Sequence, residues 1–212
     1  MGGESGEATV HEPPPSTLDG RSATEDWIAD HGITEVIVSA EDLERRVLEI
    51  GRKVTEDYDG RPLLLLGVLK GAFVFMSDLA RAIDLPVEID IMAISSYGAG
   101  TTSSGVIRIV KDLDADLTGR HVLVVEDIVD SGVTLTYLKR NLMARHPASL
   151  EVCALLVKET AHAVIPTIKY VGFQIPADFV VGYGLDVAEK YRNLSDIRRY
   201  EPVPSGTGSP RG

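Results

Sequence analysis

Three observations predict an α/β architecture, a central parallel β-sheet flanked by helices. Apolar runs of strand length alternate along the chain with segments of helical periodicity. The runs near 62–69, 121–125 and 150–157 are continuous rather than alternating, the pattern of strands buried on both faces. The run from His121 to Val125 then ends in acids and a small, hydroxyl-bearing turn followed by helical spacing. That is the order of strand, loop and helix at which α/β sheets place their ligands.

In chain order, Glu35-Val36-Ile37-Val38 reads as a short strand, and Ser39-Ala40-Glu41-Asp42 opens a helix with Ser39 as its cap and acids in the first turn. Leu43, Val47 and Ile50 continue that helix to Val54. Pro62 to Leu69 is a buried strand, Ala72 to Ala80 a helix, and Val87 to Met92 an alternating strand. The acid-ended strand follows, then a helix to about His146. Leu150 to Val157, Lys169 to Gln174 and Phe179 to Tyr183 supply the remaining strands. Residues 1 to about 22 include Pro13-Pro14-Pro15 and, like the tail 202–212, hold too few apolar groups to offset the entropy of ordering. Both are expected to be disordered, leaving 23–201 as one domain.

Composition narrows the function. The 212 residues are 44% hydrophobic and 25% charged, enough for one sizeable core. A formal net charge of -11 argues against nucleic acid or an anionic membrane as partner. Cys153 is the one cysteine and has nothing to pair with inside the chain, which fits a reducing cytoplasm. No run reaches the ~20 apolar residues of a spanning helix. Glu4 and Glu7 stand where a signal peptide would be basic, and Gly6 stands where a myristoylation motif after Gly2 wants Ser or Thr. His11, His31, His121, His146 and His162 show no metal-ligand spacing, so zinc is not expected.

The chemistry concentrates in Glu126-Asp127-Ile128-Val129-Asp130-Ser131-Gly132-Val133-Thr134. Ser131, Gly132 and Thr134 offer hydroxyls and unencumbered N–H groups at a helix start, a cradle for phosphate. The carboxylates would repel that phosphate unless the ligand also carries ribose hydroxyls, a bound Mg²⁺ or a carbon that turns cationic during reaction. A phosphorylated sugar with an anomeric leaving group meets all three needs. No Gly-Lys-Ser or Gly-Lys-Thr follows a glycine-rich run, so this is not a Walker A loop.

This contiguous stretch resembles the phosphoribosyl pyrophosphate signature of the type I phosphoribosyltransferases, most closely that of the members acting on hypoxanthine and guanine. The resemblance runs from about Glu35 to Arg192 and implies a small hood, built from the N-terminal segment and residues about 165–201. It also implies Mg²⁺, a homodimer or homotetramer, and the substrates phosphoribosyl pyrophosphate, hypoxanthine and guanine. Glu126 and Asp127 would hold the ribose and, with Asp186, serve the metal. Asp130 would be the proton acceptor, and Ser131, Gly132, Val133 and Thr134 would fix the 5′-phosphate. Several relatives carry Lys at the position of Val133, a departure that is harmless if only the backbone acts there.

The other parts of the site have two readings each. Lys70-Gly71 ends a buried strand and opens a helix, where Lys70 would satisfy a helix end or, as the resemblance implies, bind pyrophosphate beside a cis peptide at Leu69-Lys70. Ser96 to Gly105 is a run of small residues that serves as a hairpin linker or as a lid over the reactive sugar, with Ser96 and Tyr97 matching the family's lid pair. Lys158, after an apolar strand, is a solvated charge on its own terms and by resemblance the reader of the purine O6. Phe179 is otherwise a core aromatic and Arg192 a surface charge. The resemblance makes Phe179 the stacking face, Val180 and Asp186 the edge readers of the purine, and Arg192 a pyrophosphate ligand. Competing functions are transfer to another base, such as xanthine or adenine, and a nucleotide-sensing RNA-binding regulator on the same fold, which the acidic balance disfavours.

Overall fold

The continuous apolar runs become the middle of a six-stranded sheet. A computed structural model describes residue 28 and residues 31–96, 107–161 and 167–202, so the extension expected at 1–22 and the tail beyond 202 lie outside the described residues. In chain order the first elements are β1 (Ile33–Val38), α1 (Ala40–Asp57), β2 (Leu63–Leu69), α2 (Ala72–Ala82) and β3 (Val87–Ser96). They are followed by β4 (Ile107–Lys111), β5 (His121–Val129), α3 (Val133–Met143), β6 (Ser149–Lys158), β7 (Tyr170–Ile175), β8 (Val180–Val181) and β9 (Ile197–Tyr200). The main sheet runs β4-β3-β2-β5-β6-β7, and a second sheet runs β1-β9-β8.

Strands β2, β5 and β6 are parallel to one another and covered on both faces. On one side Leu65, Leu123, Val125 and Cys153 pack with Val47, Val54, Phe75 and Leu79 of α1 and α2. On the other, Leu64, Leu66, Val122, Val124 and Val152 pack with Leu135, Leu138 and Leu142 of α3. Neighbouring residues on a strand face opposite layers, so both layers must be apolar, which is why these runs do not alternate. Ser39 caps α1 as its sequence position predicts: its backbone is extended, and its hydroxyl accepts the Asp42 N–H at 3.1 Å.

Several boundaries differ from the sequence reading for local reasons. The helix expected to reach about His146 stops at Met143, and His146 itself is left-handed at φ 55°. The strand expected over 179–183 shrinks to Val180–Val181, because Gly182 and Tyr183 turn with φ of 101° and 50°. Neither β4 nor β9 was expected as a strand. Strand β4 pairs antiparallel with β3 on the sheet edge, a departure from the otherwise parallel order. Strand β9 pairs antiparallel with both β1 and β8, so the two ends of the domain share one small sheet over Ile28, Ile33, Val181 and Leu194. Strand β7 belongs to the main sheet.

Candidate active site

The strand order reverses between β2 and β5: β3 lies outward of one and β6 outward of the other. Loops leaving the two strands therefore part and open a crevice at their carboxyl ends, the usual ligand position in such sheets. A cavity of about 470 Å³ occupies it, lined by Lys70, Gly71, Glu126, Asp127, Asp130, Ser131, Gly132, Thr134, Asp186 and Arg192, among others. A second cavity of about 360 Å³, between α1 and α2, is lined by Leu43, Val47 and Leu48 with Glu44, Asp78 and Arg81, and lies away from the carboxyl ends of β2 and β5.

The turn after β5 opens α3. Gly132 has φ 77°, open to glycine at little cost, and its carbonyl accepts the Thr136 N–H and hydroxyl, each at 2.9 Å. No side chain caps α3, so its first-turn N–H groups face the crevice with the helix dipole behind them. Val133 begins the helix, exposed and away from the cavity lining. Parallel pairing sets Val129 opposite Val157, which brings the next residues together: Lys158 Nζ lies 3.2 Å from Asp130 Oδ2. Lys158 is largely buried and Asp130 largely exposed. Thr160, which no motif singled out, donates its hydroxyl to the Asp130 carbonyl at 3.1 Å and lies 3.3 Å from Asp130 Oδ1.

The peptide between Leu69 and Lys70 is cis. Gly71 stands against Asp127, whose carboxylate fills the space where any side-chain carbon at 71 would lie. From the other wall, Arg192 donates to the Gly184 carbonyl at 2.8 Å and pairs with Asp186 at 2.6 Å. Glu189, also absent from the sequence motifs, reaches both Lys70 and Arg192. Phe179 is half exposed, its ring 5.8 Å from that of Tyr200 on β9, while Val180 is buried. Ser96 closes β3. Tyr97 and the rest of the segment read as a lid lie outside the described residues.

Burial dominates the acids. It pushes the Glu126 carboxyl well above the usual range, helped by the neighbouring Asp127 charge, and raises Asp127 to about 6. Glu126 Oε1 is buried without a hydrogen-bond partner among the described residues. A buried and a half-buried carboxylate side by side, one with an oxygen that has no hydrogen-bond partner among the described residues, fit the Mg²⁺ that the resemblance implies, since that ion keeps water and substrate oxygens in its shell. No cluster of three or more His, Cys, Asp or Glu among the described residues forms a cage of its own.

Residues 34–188 match the family model described as "Phosphoribosyl transferase domain". The chain belongs to the phosphoribosyltransferase family. It is 54% identical over 176 residues to the hypoxanthine-guanine phosphoribosyltransferase of Mycobacterium avium, covering 80% of this chain and 87% of that one. The Dictyostelium discoideum enzyme of the same name is 52% identical, covering 76% and 91%. The crystal structure of a hypoxanthine phosphoribosyltransferase from Staphylococcus aureus superposes with a TM-score of 0.78 at 41% identity, covering 87% of this chain and 97% of the other. The chain is thus an enzyme of the pentosyl-transferring class, and its sheet and flanking helices are the type I phosphoribosyltransferase fold. Among the described residues no helix is long and apolar enough to cross a membrane.

A phosphoribosyltransferase whose adjacent acids are both raised by desolvation carries a stability cost with a definite sign. A carboxyl whose pKa is higher folded than unfolded contributes fully below about pH 4, and that contribution is lost as pH rises through about 6. Asp127→Asn is therefore expected to raise the melting temperature of the ligand-free enzyme at pH 8 by roughly 2–8 °C. At pH 4 the variant should match the wild type. Scanning calorimetry at the two pH values checks this, and a lower melting temperature at pH 8 would contradict it.

Proposed function

We propose that the chain is a hypoxanthine-guanine phosphoribosyltransferase of purine salvage, joining the 5-phosphoribosyl group of phosphoribosyl pyrophosphate to N9 of hypoxanthine or guanine. The products are IMP or GMP and pyrophosphate. The observation that carries this reading is the convergence, in one crevice, of a helix start without a side-chain cap, the adjacent acids Glu126 and Asp127, and two cations. Ser131, Gly132 and Thr134, with the Val133 backbone, hold the 5′-phosphate. Glu126 and Asp127 hold the ribose hydroxyls and favour positive charge on the anomeric carbon as its bond to pyrophosphate breaks. Lys70, with Gly71 beside it, and Arg192 take up the charge on the departing group. Asp130 accepts the proton released from the purine as N9 bonds to carbon.

Glu126 and Asp127, together with Asp186, would hold the Mg²⁺, and the bound ion would supply charge neutralisation for the pyrophosphate. Phe179 stacks on the base, Val180 and Asp186 read its edge, and Lys158 donates to O6. Ser96 and Tyr97 begin a lid that keeps water from the reacting carbon. The enzyme works in the cytoplasm as a homodimer or homotetramer on small-molecule substrates.

Pyrophosphate release measured with hypoxanthine, guanine, xanthine and adenine, with and without Mg²⁺, tests the whole reading. The two 6-oxopurines that carry no 2-oxo group should be turned over, adenine should not, and omission of Mg²⁺ should abolish release. Activity with adenine alone would refute the assignment. In the same assay Lys158→Gln should raise the KM of hypoxanthine and guanine by about 10- to 100-fold, because a largely buried cationic donor to O6 is replaced by a shorter, neutral one. An equal loss in affinity for phosphoribosyl pyrophosphate in the absence of base would contradict the role given to Lys158.

A further inference from the structure

Glu189 Oε2 lies 2.9 Å from Lys70 Nζ and 3.2 Å from Arg192 Nη2. One oxygen thus bridges the two cations assigned above to pyrophosphate, much as a phosphoryl oxygen would. The turn presenting it is an uncommon one. Ala188, Glu189 and Tyr191 have φ of 50°, 64° and 75°, a region that residues with a side chain seldom adopt, and seldom in such a group. Asp186 anchors the turn by accepting the Glu189 N–H at 2.8 Å while also pairing with Arg192. The backbone cost is therefore met by contacts that aim Glu189 at the cations.

We infer that Glu189 is an internal stand-in for the leaving group, holding Lys70 and Arg192 in the free enzyme and setting the affinity for pyrophosphate by competing for them. The inference rests on the reading that Lys70 and Arg192 receive pyrophosphate. A ligand phosphoryl group must displace the Glu189 carboxylate to reach these cations, and the carboxylate returns when the product leaves. Both partners of the Lys70 pair are about two-thirds exposed, so the exchange takes place at a wet surface where an ion pair is weak enough to give way. Hydrogen bonds from Lys70 and then Arg192 hold the Glu189 carboxyl below its usual value, so it stays charged at neutral pH. It also repels any pyrophosphate that approaches.

Titration calorimetry of the full chain with inorganic pyrophosphate at fixed Mg²⁺ tests this. Glu189→Gln keeps the size of the side chain and removes its charge, and is expected to tighten binding about 3- to 10-fold, the gain shrinking at high salt. Lys70→Met should weaken binding, and adding Glu189→Gln to it should recover less than the same change gives in the wild type, since the two charges act on each other. If Lys70→Met weakens binding but Glu189→Gln leaves it unchanged or weaker, the stand-in role is overturned and the pyrophosphate site stands. If Lys70→Met binds like the wild type, the placement of pyrophosphate falls and the stand-in role falls with it.

Discussion

Asp130→Asn is expected to lower the turnover number by about 10²- to 10⁴-fold, the usual worth of a positioned proton acceptor. The substitution is conservative in shape. An amide oxygen can still accept from Thr160 and from Lys158, the contacts that hold the side chain at the end of β5. What it loses is the capacity to take a proton. Binding of a ribose 5-phosphate ligand, assigned in the proposed function to the Ser131–Thr134 turn, should change little. Rapid-quench turnover and equilibrium binding, measured on the same preparation, separate the two effects. An unaltered turnover number would remove Asp130 from proton transfer and leave it a partner for Lys158.

Gly71→Ala should cost about as much as a misplaced catalytic group does, roughly 10²-fold in kcat/KM for phosphoribosyl pyrophosphate. The reason is steric: a methyl group at 71 and the Asp127 carboxylate claim the same space. Asp127 is half-buried beside Glu126 near the carboxyl end of β5, where β6 still pairs with the strand, so the carboxylate must rotate or the Lys70–Gly71 loop must lift. Either response separates the acids from the cations. Overpacking of this kind also destabilises by about 1–3 kcal/mol, so the melting temperature must be followed alongside the rate. A variant that keeps full kcat/KM would show that Asp127 is not needed where it now stands.

The parts of this protein that were legible in its sequence are those where one physical cause acts alone. Strands β2, β5 and β6 are buried on both faces, and nothing but a sheet interior explains such runs. The Glu126–Thr134 stretch is contiguous, so its chemistry could be read without knowing the fold. Lys70, Asp186 and Arg192 needed the family resemblance, because the loop after β2 and the turns between β8 and β9 meet that stretch only in the folded chain. Strands β4 and β9 are short edge or small-sheet strands, and Arg198-Arg199 within β9 looks like solvated surface until its partners are known. Thr160 and Glu189 left no signal at all. A threonine and a glutamate in loops are ordinary, and their roles come from what lies across the crevice.

The pairing of β1 with β9 has a consequence for synthesis. Thr34 and Arg199 meet across a separation of 165 residues, whereas the turn after β5 and the strands β2 and β6 that flank β5 all lie between residues 63 and 158. A chain emerging from the ribosome can complete the sugar-phosphate half early, since its contacts are near in sequence. The aromatic wall of Phe179 and Tyr200 must wait for the final strand. A chain ending before 197 would thus keep Phe179 but lack both Tyr200 beside it and the strand that pairs with β8 behind it.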